Sequence, residues 1–399
     1  MSENFCKNQR EAQRSGFVLE RTSNGAERMP EPVRVQRSEV CEDDIMKQVR
    51  NIVGMGDISK QWWDALYSRC CDIILHPGDY IDSCRGKILA TMFFEPSTRT
   101  SFSFQAAALR LGGGTFGFSD PLGTSVSKGE TFADTVRIVA SYADAIVIRS
   151  PQEGAAAAAT FYSDVPVINA GDGGHFHPTQ TLADLTTIAQ KRGGIGDFRI
   201  GLCGDLKYGR TVHSIVEALA VFPGVTFYLI SPDELRMPDY VLKQMRLRGQ
   251  VFIESDRFSE TIPELDILYM TRIQRERFHS SAEYRRLKGV YILTKKLLEN
   301  AKPDMLIMHP LPRYGEIDPD VDTDPRAVYF EQARYGMFIR MALLLEFLHL
   351  PRLSPPPVMG DITAVKCKNP ACVTQTEPYL MQLESVGGTG KCRFCDKEL

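Results

Sequence analysis

No stretch of this chain comes near the ~20 consecutive apolar residues that a membrane-spanning helix requires. Met1 to Arg50 lacks the apolar core of a secretory leader. Its acidic residues Glu11, Glu20 and Glu27 also set it apart from acid-poor amphipathic targeting peptides. Neither sign of charge dominates: 47 Lys and Arg stand against 50 Asp and Glu, a net charge of −3. That balance gives no overall basic footprint for nucleic acid. Without a leader, the cysteines do not read as a disulfide framework. The expectation is a cytoplasmic protein with neither a membrane nor a nucleic acid as partner.

What is present suits a globular protein: 43% apolar and 24% charged residues. At 399 residues the chain exceeds one ordinary core, so two or three domains are expected. Residues 1–44 are polar, carry Pro30 and Pro32, and read as a poorly ordered tail. Strand-like and helix-like segments then alternate as far as Leu350. This predicts an α/β architecture, a doubly wound parallel sheet in each of two domains, 45–180 and 181–350. Pro351 and Pro355-Pro356-Pro357 mark a stiff linker, 351–363, before a small β module, 364–399.

The most informative stretch is Phe94-Glu95-Pro96-Ser97-Thr98-Arg99-Thr100-Ser101-Phe102. An apolar run from Ile88 to Phe94 reads as a buried strand, and Glu95-Pro96 breaks it. Ser97, Thr98, Arg99 and Thr100 then open a helix with Phe102, Ala106 and Leu109 at helical spacing. The first N–H groups of a helix are unpaired and its dipole favours anions there. Ser97 alone reads more readily as a cap. Four donors in a row, one a guanidinium, favour a phosphate grip. Other strand ends also carry cations: Arg149, His177 after the glycines of 171–174, Arg210, and Arg272. A lone Arg there is usually solvated, and a lone His usually structural. Converging at the carboxyl ends of two sheets, they define a cleft for a small polyanion. Gly112, Gly114 and Gly117 match a dinucleotide fingerprint only formally, since they follow a helix.

In order along the chain stand the Ser97-Thr98-Arg99-Thr100 motif, the Lys128-Gly129-Glu130 loop, His177-Pro178-Thr179-Gln180 and His309-Pro310-Leu311-Pro312-Arg313. Together, over roughly residues 45–350, they resemble the catalytic chain of the aspartate carbamoyltransferase family. The choice of aspartate rests on the His309 to Arg313 loop, Lys128, and Arg272 with Gln274. The resemblance implies attack of the aspartate amine on carbamoyl phosphate, with no cofactor in the chemistry. It implies that Ser97, Thr98, Arg99 and Thr100 hold the phosphate, Arg99 neutralising the leaving oxygen. Thr100, Arg149 and His177 would donate to the carbonyl oxygen. Gln180 would take the carbamoyl nitrogen, and backbone carbonyls around Pro310 and Leu311 would complete the pocket. Arg210, Arg272, Gln274 and Lys128 would bind aspartate. A homotrimer is implied, with Ser125 and Lys128 reaching the neighbouring subunit's site. Glu95 would pair with Arg210 and Arg277 on cleft closure, and the Leu311-Pro312 bond would be cis.

Cys367-x4-Cys372 and Cys392-x2-Cys395, separated by 19 residues, suit tetrahedral structural zinc. Lys366 to Leu399 resembles the zinc domain of the regulatory chain of the same family, here fused to the catalytic part. That chain's nucleotide-binding half has no counterpart, which implies zinc for assembly or stability without nucleotide feedback. Gly387 to Lys391 echoes a phosphate loop, but Cys392 replaces the needed hydroxyl. Two rival readings stay open from sequence: a carbamoyltransferase using another amine, and a catalytically silent scaffold for the zinc module.

Overall fold

A computed structural model describes residues 49–273, 286, 289–355, 367–377 and 390–398. The tail at 1–44, Gln274 and Arg277 lie outside the described residues, as do 387–389 and most of the linker.

Two parallel sheets form the frame. The first contains β1 (Ile88–Phe93), β2 (Gly114–Phe118), β3 (Ala145–Ser150) and β4 (Val167–Asp172), in the order β2-β1-β3-β4. The second contains β5 (Phe198–Cys203), β6 (Val225–Ile230), β7 (Val251–Ser255), β8 (Ile267–Met270) and β9 (Leu306–Met308), in the order β7-β6-β5-β8-β9. Strands β1, β3 and β4 are buried almost throughout. Their continuous apolar runs are what a sheet covered on both faces demands.

Eight helices matter to the site: α1 (Lys60–Leu75), α2 (Thr98–Arg110), α3 (Phe132–Tyr142), α4 (Ala155–Ala159), α5 (Pro178–Arg192), α6 (Arg210–Leu219), α7 (Asp239–Leu247) and α8 (Tyr329–Phe347). The Ser59 hydroxyl caps α1 by accepting from Trp62 N, and Thr131 caps α3 by accepting from Asp134 N. Helix α8 packs on α5, α2 and α1. It therefore ties the second half of the chain to the first, and one apolar core runs through both sheets. The helix starts at Tyr329, well ahead of the apolar run that opens at Gly336. Its first turns bury Tyr329 and Gln332, whose polar groups hide the periodicity.

A second core lies on the other face of the first sheet, and the cysteine module is built into it. Cys367, Cys372, Val373, Cys392, Phe394 and Cys395 pack among Ala155, Ala158 and Phe161. Burying a ring such as Phe394 contributes about 1.5–3 kcal/mol. Within the module, Lys391 and Glu398 form an antiparallel bridge that closes the Cys392 to Cys395 turn. Among the described residues, no helix is long and apolar enough to cross a membrane.

Candidate active site

In each sheet the strand order reverses once, between β1 and β3 and between β5 and β8. Crevices beyond such reversals are where ligands bind in open α/β sheets. Register brings the key positions together: Phe93 pairs with Arg149, and Cys203 with Met270. Arg99 follows β1, Arg149 lies in β3, Arg210 opens α6 after β5, and Arg272 follows β8. The four arginines thus stand at the two reversals.

Ser97 occupies the N-cap of α2, yet its side chain makes no capping bond, so its hydroxyl stays available to a ligand. Thr98 and Arg99 are exposed and Thr100 is buried. Burial, then the positive charges of Arg149 and Arg272, push the Arg99 guanidinium below its ordinary value. Arg149 is only 7% exposed. It donates to the Ala170 carbonyl at 3.2 Å and to Glu95 Oε1 at 3.2 Å. Glu95 is therefore paired with Arg149, whereas its resemblance-based partner Arg210 donates to the Gly173 carbonyl. Gly171 makes room for both arginines: a Cβ there would lie 2.9 Å from Arg149 Nη1 and 3.4 Å from Arg210 Cζ.

His177 occupies the N-cap position of α5 and is 4% exposed. Burial, reinforced by Arg210, Arg149 and Arg340, drives its pKa well below the usual imidazole value. It is thus a neutral donor, suited to a developing oxyanion. Its Nδ1, Arg149 Nε and Glu95 Oε2 are buried with no hydrogen-bond partner among the described residues. Buried polar atoms are ordinarily paired, so three orphans around one crevice mark a place built for a polar ligand. Gln180 is half-buried in the first turn of α5. The Leu311-Pro312 bond is cis, with Pro310 and Leu311 half-buried beyond β9. Ser125 and Lys128 are exposed at the two ends of the short turn Ser125–Lys128.

The cysteine cluster is a separate centre. The four sulfurs of Cys367, Cys372, Cys392 and Cys395 all lie within 4.8 Å of one another and are buried. Cys367 to Cys395 is 3.6 Å and Cys372 to Cys392 is 3.8 Å. Those spacings are far beyond a disulfide. They match the ~3.8 Å edge of a tetrahedron with metal–sulfur bonds of about 2.3 Å. Four converging thiols fit a soft tetrahedral ion that keeps no open position.

Sequence reasoning missed the joint between this module and the site. Glu153 donates its N–H to the Ala371 carbonyl at 2.8 Å, and its own carbonyl accepts from Val373 N at 2.9 Å. Its carboxylate takes Asn369 Nδ2 at 2.7 Å and Lys397 Nζ at 2.8 Å. Gly154, at φ +84°, lies so close that a Cβ would meet the Phe394 carbonyl oxygen at 2.5 Å. His175 stands between Asp172 at 3.0 Å and Asp396 at 3.1 Å. Burial alone would lower its pKa, but bonds to both carboxylates hold it up at about 10. Asp172 also accepts from Gly154 N at 2.8 Å and Phe176 N at 2.9 Å. The loop carrying His177 is thereby braced from the module side. The sequence sign of it is modest: an acid and a histidine, Asp172 and His175, three apart in a glycine-rich loop.

This geometry agrees with what comparison finds. Residues 50–190 match the sequence model of the aspartate/ornithine carbamoyltransferase carbamoyl-phosphate-binding domain, and residues 196–347 that of the aspartate/ornithine-binding domain. The fold and site thus define the class, an aspartate/ornithine carbamoyltransferase. The aspartate carbamoyltransferase catalytic subunit of Clostridium novyi (strain NT) is 54% identical over 303 residues, covering 76% of this chain and 99% of that one. Among solved structures, the catalytic subunit of M. jannaschii aspartate transcarbamoylase superposes with a TM-score of 0.70 at 44% identity, covering 75% and 97%. The Trypanosoma cruzi enzyme in complex with N-(phosphonacetyl)-L-aspartic acid gives 0.71 at 37% identity, covering 75% and 95%. The chain belongs to the aspartate carbamoyltransferase catalytic subunit family. The matched domains end at residue 347, before the cysteine module.

Proposed function

We propose that this chain transfers the carbamoyl group of carbamoyl phosphate to the amine of L-aspartate, giving N-carbamoyl-L-aspartate and phosphate for pyrimidine synthesis. The site assignment is carried by the four arginines at the two strand-order reversals, beside the orphaned polar atoms of Arg149 and His177. Ser97, Thr98, Arg99 and Thr100 hold the phosphate, and Arg99 neutralises charge on the leaving oxygen. Thr100, Arg149 and His177 donate to the carbonyl oxygen as it gains charge. Gln180 accepts from the carbamoyl nitrogen, and the carbonyls of Pro310 and Leu311 complete that pocket. Arg210, Arg272 and Gln274 bind the aspartate carboxylates. The neutral amine attacks, and the departing phosphate accepts its proton. Most of the acceleration comes from holding both substrates together and stabilising charge. Glu95 exchanges Arg149 for Arg210 and Arg277 as the cleft closes.

The carbamoyl-phosphate domain is 45–180 and the aspartate domain 181–350. Ser125 and Lys128 act in the site of a neighbouring subunit of a homotrimer, which their exposure on a turn supports. The four thiols hold structural zinc, which steadies the cysteine module against the first sheet's domain. The decisive experiment is product analysis with carbamoyl phosphate and either aspartate or ornithine. N-carbamoyl-aspartate as the sole product is expected; carbamoylation of ornithine, or no turnover with aspartate, overturns the assignment. Mixing Lys128→Ala with Arg99→Ala chains tests the shared site, since subunit exchange then restores activity in some trimers.

A further inference from the structure

Deep behind the substrate crevice, one carboxylate collects donors from its own helix and from two distant parts of the chain. Asp184, in α5, is fully buried. Its Oδ1 accepts from Gln180 Nε2 at 2.8 Å and from Gln332 Nε2 at 2.7 Å. Its Oδ2 accepts from the Tyr269 hydroxyl at 2.8 Å. Gln332 in turn accepts from the His309 backbone N–H through Oε1 at 3.0 Å. Tyr269 and Gln332 are 0% and 1% exposed, so water does not compete along this chain of bonds.

The chain has a direction. A backbone N–H donates only, so it fixes Gln332 with its oxygen toward His309 and its NH2 toward Asp184. An ionised carboxylate accepts only. Even with a proton on Oδ2, the oxygen shared by the two amides remains an acceptor. Gln180 must therefore point its NH2 inward, which leaves its carbonyl oxygen facing outward. Of the two amide orientations, this one alone accepts a hydrogen bond from a carbamoyl NH2. The opposite orientation would set NH2 against NH2.

We propose that Asp184 is the positioning residue that locks the amide of Gln180 so that the site selects a carbamoyl group over an acyl group of the same shape. This rests on the assignment of Gln180 to the carbamoyl nitrogen. The buried acid tolerates its position because three donors surround it. Burial raises its pKa to about 7 against those hydrogen bonds, in keeping with a group held there for orientation. The same carboxylate joins the His309 loop and the β8 strand to α5, so one group aligns both halves of the crevice.

The test compares dissociation constants for carbamoyl phosphate and acetyl phosphate without aspartate. Acetyl phosphate replaces the NH2 by a methyl group. In Asp184→Leu, the preference for carbamoyl phosphate is expected to fall about 10-fold or more, the worth of a specific hydrogen bond. In Asp184→Asn it stays within about 3-fold of the unmodified protein, because the side-chain carbonyl still faces both amides while its NH2 turns to Tyr269. Equal weakening of both ligands in Asp184→Leu, with the preference unchanged, overturns the proposal, as a purely structural role would. Asp184→Ala replaces the Leu variant if thermal unfolding shows that protein unfolded, and the same outcomes apply. Gln180→Leu separates the two levels. An unchanged preference there overturns the Gln180 assignment itself; a lost preference there, with Asp184→Leu unaffected, overturns only the role of Asp184.

Discussion

At the carboxyl end of the four-stranded sheet, Arg149 and His177 are sunk among backbone groups; at that of the five-stranded sheet, Arg210 and Arg272 are only half-buried. Arg149 and His177 are buried. Asp172 beside them accepts from Asn169, His175 and the backbone N–H groups of Gly154 and Phe176. Arg272, by contrast, is half-buried just past β8, and Arg210 is half-buried at the start of α6. The first surface is preorganised, as a site for a charged, reactive phosphate would require. The second suits side chains that shift as a cleft closes around a ligand. On the proposed assignment, the difference sets a built pocket for carbamoyl phosphate against a looser one for aspartate.

The largest expected effect separates these two kinds of surface. On the proposed assignment, Arg149→Ala should lower kcat by about 10²–10³, by removing a donor to the developing oxyanion. Arg272→Ala should instead raise the KM for aspartate by about 10-fold or more, the worth of a charge-assisted hydrogen bond. Steady-state kinetics with each substrate varied distinguishes the two, and a matched fall in kcat for both would erase the contrast. An intermediate effect probes the bracing. Gly154→Ala, or treatment with a metal chelator, should raise amide hydrogen exchange across 172–176 while leaving 203–206 unchanged. Exchange rising equally in both segments would mean that the module steadies the whole fold and not this loop.

The smallest effect concerns His177. Its ring resonances should not titrate between about pH 8 and about pH 6, because burial and neighbouring arginines keep it neutral. The unfolded chain does take up that proton near pH ~6.5, so this residue's share of stability is lost as pH falls below that value. Titration in the native protein within that window would show a crevice open to water.

The four arginines are legible in the sequence because each follows or ends an apolar run, and strand ends in parallel sheets lie on one side. The phosphate-binding stretch is legible for the same reason. Asp184 is half visible: it is spaced i, i+4 from Gln180 on one helix, but Gln332 lies 148 residues away. The joint at Glu153 is harder still, since it meets Asn369 across 216 residues. Pairings at such separation are set by packing of whole domains, which local periodicity does not encode. The early start of α8 is hidden likewise, since Tyr329 and Gln332 are buried for their partners and not for apolarity.

The module's seat on Glu153 and Gly154 has a consequence for dosage. A partner carried on a separate chain is lost by dilution, and its supply must be matched to that of the enzyme. Here it is joined to the surface it covers by a short tether, so its local concentration is on the order of mM whatever the cell makes. Each catalytic chain therefore leaves the ribosome with its own brace, in a ratio of one to one that no imbalance of expression can disturb.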